Sequence, residues 1–432
     1  MKAVLQNLLS VLGGEAAVRL ANFVAVLLIA RAYGEAVLGA YALSLAVVTV
    51  IIMFADGGLQ TVAITQLSVA SPGRNQIIGR LTVVKTVTLG ISCLLLASVA
   101  TWAGKNSVFW SIGLWVALRA VFQSYSQLQV AILKAVSRAN WIALIQSVDS
   151  CLVFLGIWIA FRLKWEVSAF LGWLTFCQFV ELALGVCVLH QNGIRPRWPA
   201  RVHFRATLQA AAPFGIAYGF ANLIIRSDTI ILSTLTSLAG VGVFSAANTM
   251  LLMVYLSGWL LTSILLPEMA RIAERPASLA AYARQWARYV TMVSAPCAVL
   301  VALVAPRAIV LLYGAAYAAS GLIGSAMALA CPFILLNSIY AARAIAADRK
   351  SVFLGIYGAG ILATLALDFM LGHRFGPLGI AVAIVIREAG TLLAFWLFLS
   401  RPAAFGPQVE IRAISEVTRA SFTDSMRSHD CP

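Results

Sequence analysis

Charged side chains are scarce in this chain: only 11% of its 432 residues are Asp, Glu, Lys or Arg, and only 16 are acidic. A soluble domain carries about 25% charged residues, so a water-soluble globule is excluded. Short strands of alternating apolar and polar residues are also missing, which excludes an outer-membrane barrel. No G-x-x-x-x-G-K-[ST] loop occurs, nor H-E-x-x-H, nor D-x-D. Phosphate-loop ATP hydrolysis, zinc proteolysis and metal-held nucleotide-sugar chemistry therefore lack their usual residue sets. Seven cysteines are present, but none form C-x-x-C, and six fall within or beside apolar segments. They read as small packing residues rather than a disulfide framework or metal site.

Apolar residues dominate instead. They make up 61% of the chain, and mean hydropathy is +0.92. A bilayer span needs about 20 apolar residues, so the chain has room for about a dozen spans and little else. The expectation is an all-α membrane protein of about 12 transmembrane helices. They fall near 9–31, 36–58, 80–103, 107–133, 141–160, 167–189, 207–234, 238–265, 287–305, 317–341, 351–372 and 378–399. The apolar character of the second runs on towards Val69. The first lacks a short apolar core with a small-residue cleavage site and reads as a retained helix.

Basic residues orient these spans. Only Arg31, Lys105, Arg162, Lys164, Arg307 and Arg374 lie on one face, whereas the N-terminal face collects most others, from Lys2 and Arg74 to Arg349 and Lys350. The positive-inside rule puts both termini in the cytoplasm. Much of the +15 net charge is then topogenic, and nucleic-acid binding is not needed to explain it. A basic connection, His190 to Arg205, holds Pro196 and Pro199 and divides the chain. The expected organisation is a six-helix lobe over 1–189, a cytoplasmic linker over 190–206, a second six-helix lobe over 207–400 and a cytoplasmic tail over 401–432. Gly39-Ala40-Tyr41 is echoed by Gly242-Val243-Phe244, and two lobes in the same orientation resemble the parallel repeats of some secondary transporters. Outer loops are short on this topology, with no space for an outer catalytic domain.

Four arginines stand out because arginine is costly in lipid. Arg19, Arg119, Arg226 and Arg387 lie deep in apolar runs, where each charge costs roughly 2.5–3.5 kcal/mol. Such residues face a bundle interior or wet cavity, and several together suit an anionic ligand. A guanidinium grips two phosphate oxygens at once. Glu15, Arg19 and Asn22 share one helical face, so Glu15 is either a partner for Arg19 or a separate group. Arg119 is followed at helical spacing by Gln123 and Gln127, which suit sugar hydroxyls or knit the helix to its neighbours. Tyr218, Asn222 and Arg226 line another stripe. Asp228, two residues on, cannot sit beside Arg226 on that surface. Asp149, Glu181 and Glu388 are mid-span carboxylates for charge pairing or ion coupling. Asp56 and Asp368 read as water-reached groups near span ends, and Lys85 as a residue that snorkels to the surface.

The order of several short motifs resembles polysaccharide flippases of the Wzx type, in the multidrug/oligosaccharidyl-lipid/polysaccharide exporter superfamily. They are Arg31-Ala-Tyr-Gly34, Gly39-Ala-Tyr41-Ala-Leu-Ser44, Ala55-Asp-Gly-Gly-Leu59, Asp228-Thr-Ile-Ile-Leu232, Val241-Gly-Val-Phe244, Leu266-Pro-Glu-Met-Ala-Arg271 and Ala305-Pro-Arg-Ala-Ile-Val-Leu-Leu-Tyr-Gly314 with Tyr317. The resemblance implies translocation of undecaprenyl-diphosphate-linked oligosaccharide across the bacterial inner membrane, and no enzymatic activity. It also implies a MATE- or flippase-like fold. Related lipid II flippases have an arginine twelve residues before their Arg-x-(Phe/Tyr)-Gly turn that serves the cargo diphosphate, and Arg19 holds that position. Those relatives have fourteen spans, which disfavours lipid II itself as cargo.

The implied partners are the polyprenyl-diphosphate-linked oligosaccharide, membrane lipids and other polysaccharide assembly proteins. Arg19, Arg119, Arg226 and Arg387 are expected on diphosphate, and Asn22, Gln123, Gln127, Tyr218 and Asn222 around the sugars. No cofactor or metal is expected. H+ or Na+ coupling through Glu15, Asp149, Glu181 or Glu388 stays open. Two alternatives stand beside this expectation: a multidrug exporter of the same fold, and a membrane-embedded polymerase or glycosyltransferase. A cationic drug would favour a negative cavity, and an enzyme would need a larger outer loop.

Overall fold

The computed structural model describes residues 2–69, 73–102, 107–136, 138–197 and 204–400. The tail expected over 401–432 and part of the linker lie outside the described residues. All regular structure among those residues is helical, as hydrocarbon demands, because an open backbone there would leave peptide groups unpaired. In chain order the helices are α1 (Lys2–Tyr33), α2 (Glu35–Asp56), α3 (Leu59–Val69), α4 (Arg74–Trp102), α5 (Ser107–Ala135), α6 (Ala139–Leu163) and α7 (Val167–Gln191). The remainder are α8 (Phe204–Leu235), α9 (Leu238–Arg271), α10 (Pro276–Tyr313), α11 (Ala318–Ala328), α12 (Cys331–Ala346) and α13 (Lys350–Ser400).

Eight of these are long and apolar enough to cross a membrane, and nine if α11 and α12 form one bent span. The protein is therefore a multi-pass membrane protein. Two further long helices, α5 and α8, carry the polar stripes around Arg119 and Arg226. Large apolar side chains cover the outside: Phe161 and Leu311 are each 74% exposed and Leu94 is 73% exposed. Water would not tolerate such a belt; lipid does.

Breaks fall where the backbone chemistry puts them. The second expected span ends at Gly57, in left-handed conformation, and the apolar run towards Val69 becomes the separate helix α3. The tenth is bent by 41° between α11 and α12, with Pro332 in the first turn of α12. A proline tolerates that position because its missing N–H has no helical partner there. The eleventh and twelfth spans run together as α13 except at Gly376, whose φ of 58° and ψ of −138° suit glycine alone, followed by Pro377. α9 and α10 extend well beyond their expected spans.

Packing divides into two sets. In the first, α1 lies on α6, α5 on α7, and α2 on α4 and α5; in the second, α8 and α12 lie on α13, and α10 on α11 and α12. The halves meet mainly where α2 crosses α8 and α9. One apolar cluster runs through this seam and includes Ile29, Leu38, Phe244, Tyr313 and Tyr317.

The two echoed glycines face each other at the crossing. A Cβ on Gly39 would run into the Leu238 carbonyl and the Gly242 nitrogen; one on Gly242 would run into the Glu35 carbonyl and the Gly39 nitrogen. The contact is reciprocal, backbone to backbone, with no side chain free to yield. We expect Gly39→Ala and Gly242→Ala each to cost about 1–3 kcal/mol, the usual penalty of overpacking. Gly90→Ala is the control. Its Cβ would meet nothing within 4 Å, so it should be neutral or stabilise α4. Melting temperatures of the purified variants decide; equal behaviour of all three would refute the crossing.

Candidate functional site: a divided set of buried charges

The four mid-depth arginines occupy different surroundings. Arg19 is exposed on α1, and among the described residues it forms no ion pair. Glu15, one turn away, instead lies 3.7 Å from Lys134 of α5. Arg226 on α8 is half-buried, as is Asn222 one turn before it, and both have partners within the protein. The Tyr218 side chain lies outside the described residues.

Arg119 belongs to the first half. Its Nη2 donates to Asn22 Oδ1 at 2.8 Å, and Asn22 Nδ2 donates back along α1 to the Val18 carbonyl at 2.8 Å. Asp149 of α6 is buried, Glu181 of α7 is half-buried, and both lie within electrostatic range of Arg119. Gln178 donates to Glu181 from one turn earlier. Gln123 is exposed one turn from Arg119, whereas Gln127 is engaged: it accepts from Gln60 Nε2 of α3 at 2.8 Å. The polar stripe on α5 thus meets α1, α3, α6 and α7.

Arg387 is enclosed. Its side chain is 2% exposed and the Asp228 side chain 3%, with Nη1 to Oδ1 at 2.8 Å. Nη2 donates to the Tyr255 hydroxyl at 3.0 Å, and that hydroxyl donates to Glu388 Oε1 at 2.8 Å. Asn337 Nδ2 donates to Glu388 Oε2 at 2.9 Å. α8, α9, α12 and α13 are therefore tied at one point. Helical spacing set Arg387 and Glu388 on different faces, yet Arg387 Nε lies 3.5 Å from Glu388 Oε1, because the long guanidinium arm turns back along its own helix. In this conformation a cargo has no open approach to Arg387.

Three surface expectations are corrected. Asp368 is fully buried beside Asp228, and among the described residues no donor group reaches either of its carboxyl oxygens. Lys85 does not snorkel: it is fully buried and ion-paired to Asp56, which also accepts from Ser124 Oγ at 2.9 Å. α2 therefore ends against α4 and α5, and inward burial overrides proximity to a span end. Tyr255 and Asn337 carry no sequence signal beyond being polar residues in apolar runs.

Two motif-bearing segments converge across the seam. Arg31 Nε donates to the Leu312 carbonyl at 2.6 Å, and Nη2 to the Leu311 carbonyl. These carbonyls end α10, where a helix leaves acceptors unpaired and favours a cation. The Tyr317 hydroxyl donates to the Ala30 carbonyl at 3.3 Å. The halves are thus tied on the face carrying the α1–α2 turn. Among the described residues no cluster of three His, Cys, Asp or Glu is placed to hold a metal.

The fold resembles that of solved flippases and multidrug transporters. The lipid II flippase MurJ, in an inward closed conformation, is similar at TM-score 0.73 and 14% identity, over 90% of this chain and 87% of that one. An inward-facing multidrug resistance MATE family transporter is similar at 0.72 and 14%, over 89% and 94%. An outward-facing MATE family transporter is similar at 0.59 and 13%, over 92% and 96%. No curated protein matches in sequence. Residues 4–273 match the polysaccharide biosynthesis protein family; the chain belongs to that family.

Proposed function

We propose that this protein is a flippase for polyprenyl-diphosphate-linked oligosaccharide, undecaprenyl diphosphate being the lipid, in the bacterial inner membrane. Membership of the polysaccharide biosynthesis family supports a cargo of that class. On this reading it is a transporter and not an enzyme, with twelve spans in two six-helix lobes, 1–189 and 207–400, and both termini cytoplasmic. α2 with α3, α11 with α12, and each part of α13 count as one span.

One observation carries the reading. Arg19 sits deep in an apolar helix, exposed and without a carboxylate among the described residues. A bare guanidinium at that depth is costly, so its retention calls for an anionic visitor. Arg226 and Arg119, with Asn22, Asn222 and Gln123, extend the polar surface for diphosphate and sugars. Arg387 takes a different role: with Asp228, Glu388 and Asp368 it forms a coupling element. Three carboxyls against one guanidinium leave excess negative charge in a dry site, and a proton or monovalent cation at the Asp228–Asp368 pair offsets it. The Arg31 and Tyr317 bonds close the outer face, and the higher similarity to inward-facing than to outward-facing relatives supports an inward-facing resting state.

The test is reconstitution in proteoliposomes with a fluorescent diphosphate-linked oligosaccharide. Losing one charge-assisted phosphate contact of about 1.5–3 kcal/mol should slow translocation by at least about 10-fold in Arg19→Ala. Arg19→Lys should recover only part, because an ammonium cannot grip two oxygens in one plane. Neither change should alter the melting temperature, since Arg19 packs against little. Translocation unchanged in Arg19→Ala would remove the basis of this reading.

A further inference from the structure

In the second half, α10, α12 and α13 leave a groove of about 650 Å³. Its walls are helical stripes. Arg284, Ala287, Arg288 and Thr291 repeat at three- and four-residue spacing on α10, as do Ala389, Leu392, Leu393 and Trp396 on α13. Leu336 and Tyr340 complete the side on α12. The body is apolar and open: Met292 is 69% exposed and Leu393 55%.

One end is different. Arg284 and Arg288 are exposed one turn apart, and among the described residues neither has a carboxylate partner. Arg343 lies within electrostatic range of Arg284 and of Arg349, and both Arg343 and Arg349 cap the end of α13 through the Leu399 and Phe398 carbonyls. Aromatic rings sit at the same height along α10, on its other face: Tyr282, Trp286 and Tyr289 stack edge-on one turn apart. Such rings mark the headgroup level of a bilayer. The groove therefore has a cationic mouth at the membrane surface and an apolar channel running into the hydrocarbon.

We infer that this groove holds an anionic glycerophospholipid of the leaflet facing the basic loops. Its phosphate would lie between Arg284 and Arg288 and one acyl chain along Met292 and Leu393. Charge complementarity selects the headgroup, and the exposed apolar stripe selects a chain. None of the lining residues lies on α1, α2, α8 or α9, which separates this lipid from a cargo handled between the halves. The inference rests on the membrane class and not on the cargo proposed above.

The experiment is native mass spectrometry of the full-length protein extracted from nanodiscs containing phosphatidylglycerol and phosphatidylcholine in equal amounts. The wild type should retain phosphatidylglycerol selectively. The Arg284→Gln/Arg288→Gln variant should retain it about 30-fold less, since each basic residue near a membrane surface is worth about 1 kcal/mol. Leu393→Trp keeps the charges and fills the channel, and it should also lose the lipid. Arg162→Gln/Lys164→Gln, on the opposite face, should retain it. Equal retention by the double arginine variant and the wild type overturns the inference, as does retention by Leu393→Trp. Displacement of phosphatidylglycerol by an equal amount of undecaprenyl diphosphate overturns it as well, because the groove would then belong to cargo.

Discussion

Arg387→Met should destabilise the protein by about 3–5 kcal/mol, the usual loss when one member of a buried ion pair is removed. The effect is large because of what is left behind. Asp228 and Glu388 both depend on this guanidinium, and their side chains are 3% and 9% exposed. Without it the Tyr255 hydroxyl keeps only Glu388, and two carboxylates face each other's field with little solvent. The second half should then loosen at the meeting of α8, α9, α12 and α13. Adding Asp228→Leu to Arg387→Met should recover only part of the loss, since Glu388 and Asp368 remain. Thermal unfolding of the purified protein in one detergent measures both. A melting temperature indifferent to Arg387→Met would show that the cluster holds nothing together. Arg19→Ala supplies the contrast, with transport lost and stability kept.

Lys85→Met should cost a similar 3–5 kcal/mol, but with a different outcome on rescue. Lys85 is fully buried, and Asp56 is its ion-pair partner. Among the described residues only the Ser124 hydroxyl, at 2.9 Å, also serves that carboxylate. Removing the amine strands a charge where α2 meets α4 and α5. Because the pair is simple, Lys85→Met/Asp56→Leu should return most of the stability, as apolar replacements of buried pairs commonly do. The double-variant cycle reads the coupling directly. Additive losses in the cycle would mean that the two residues act separately. The comparison with Arg387 separates an isolated pair from a network: one change rescues the first and not the second.

Much of the architecture is legible in the sequence. Long apolar runs can satisfy their backbones only as helices in lipid, so class and approximate helix positions follow from composition and spacing. One departure comes from local backbone chemistry, since Gly57 separates α3 from α2, whereas the break at Gly376 and Pro377 falls inside the expected connection between the eleventh and twelfth spans. The paired glycines at 39 and 242 were visible as a short echo. That they touch was not, because nothing in a one-dimensional pattern says which neighbour a helix face meets.

The same limit divides the charges. Sequence alone determined that arginines lie deep in apolar helices and that carboxylates accompany them, and it placed short motifs resembling one flippase family in order along most of the chain. Tertiary packing decided which arginine is spent on the protein itself and which stays bare. Arg387 found Asp228 across 159 positions of chain, while Glu15, on the same helical face as Arg19, turned to Lys134 instead. Helical periodicity fixes the direction a side chain leaves its own helix; only the placement of the other helices settles whether a carboxylate, a carbonyl or an open surface awaits it.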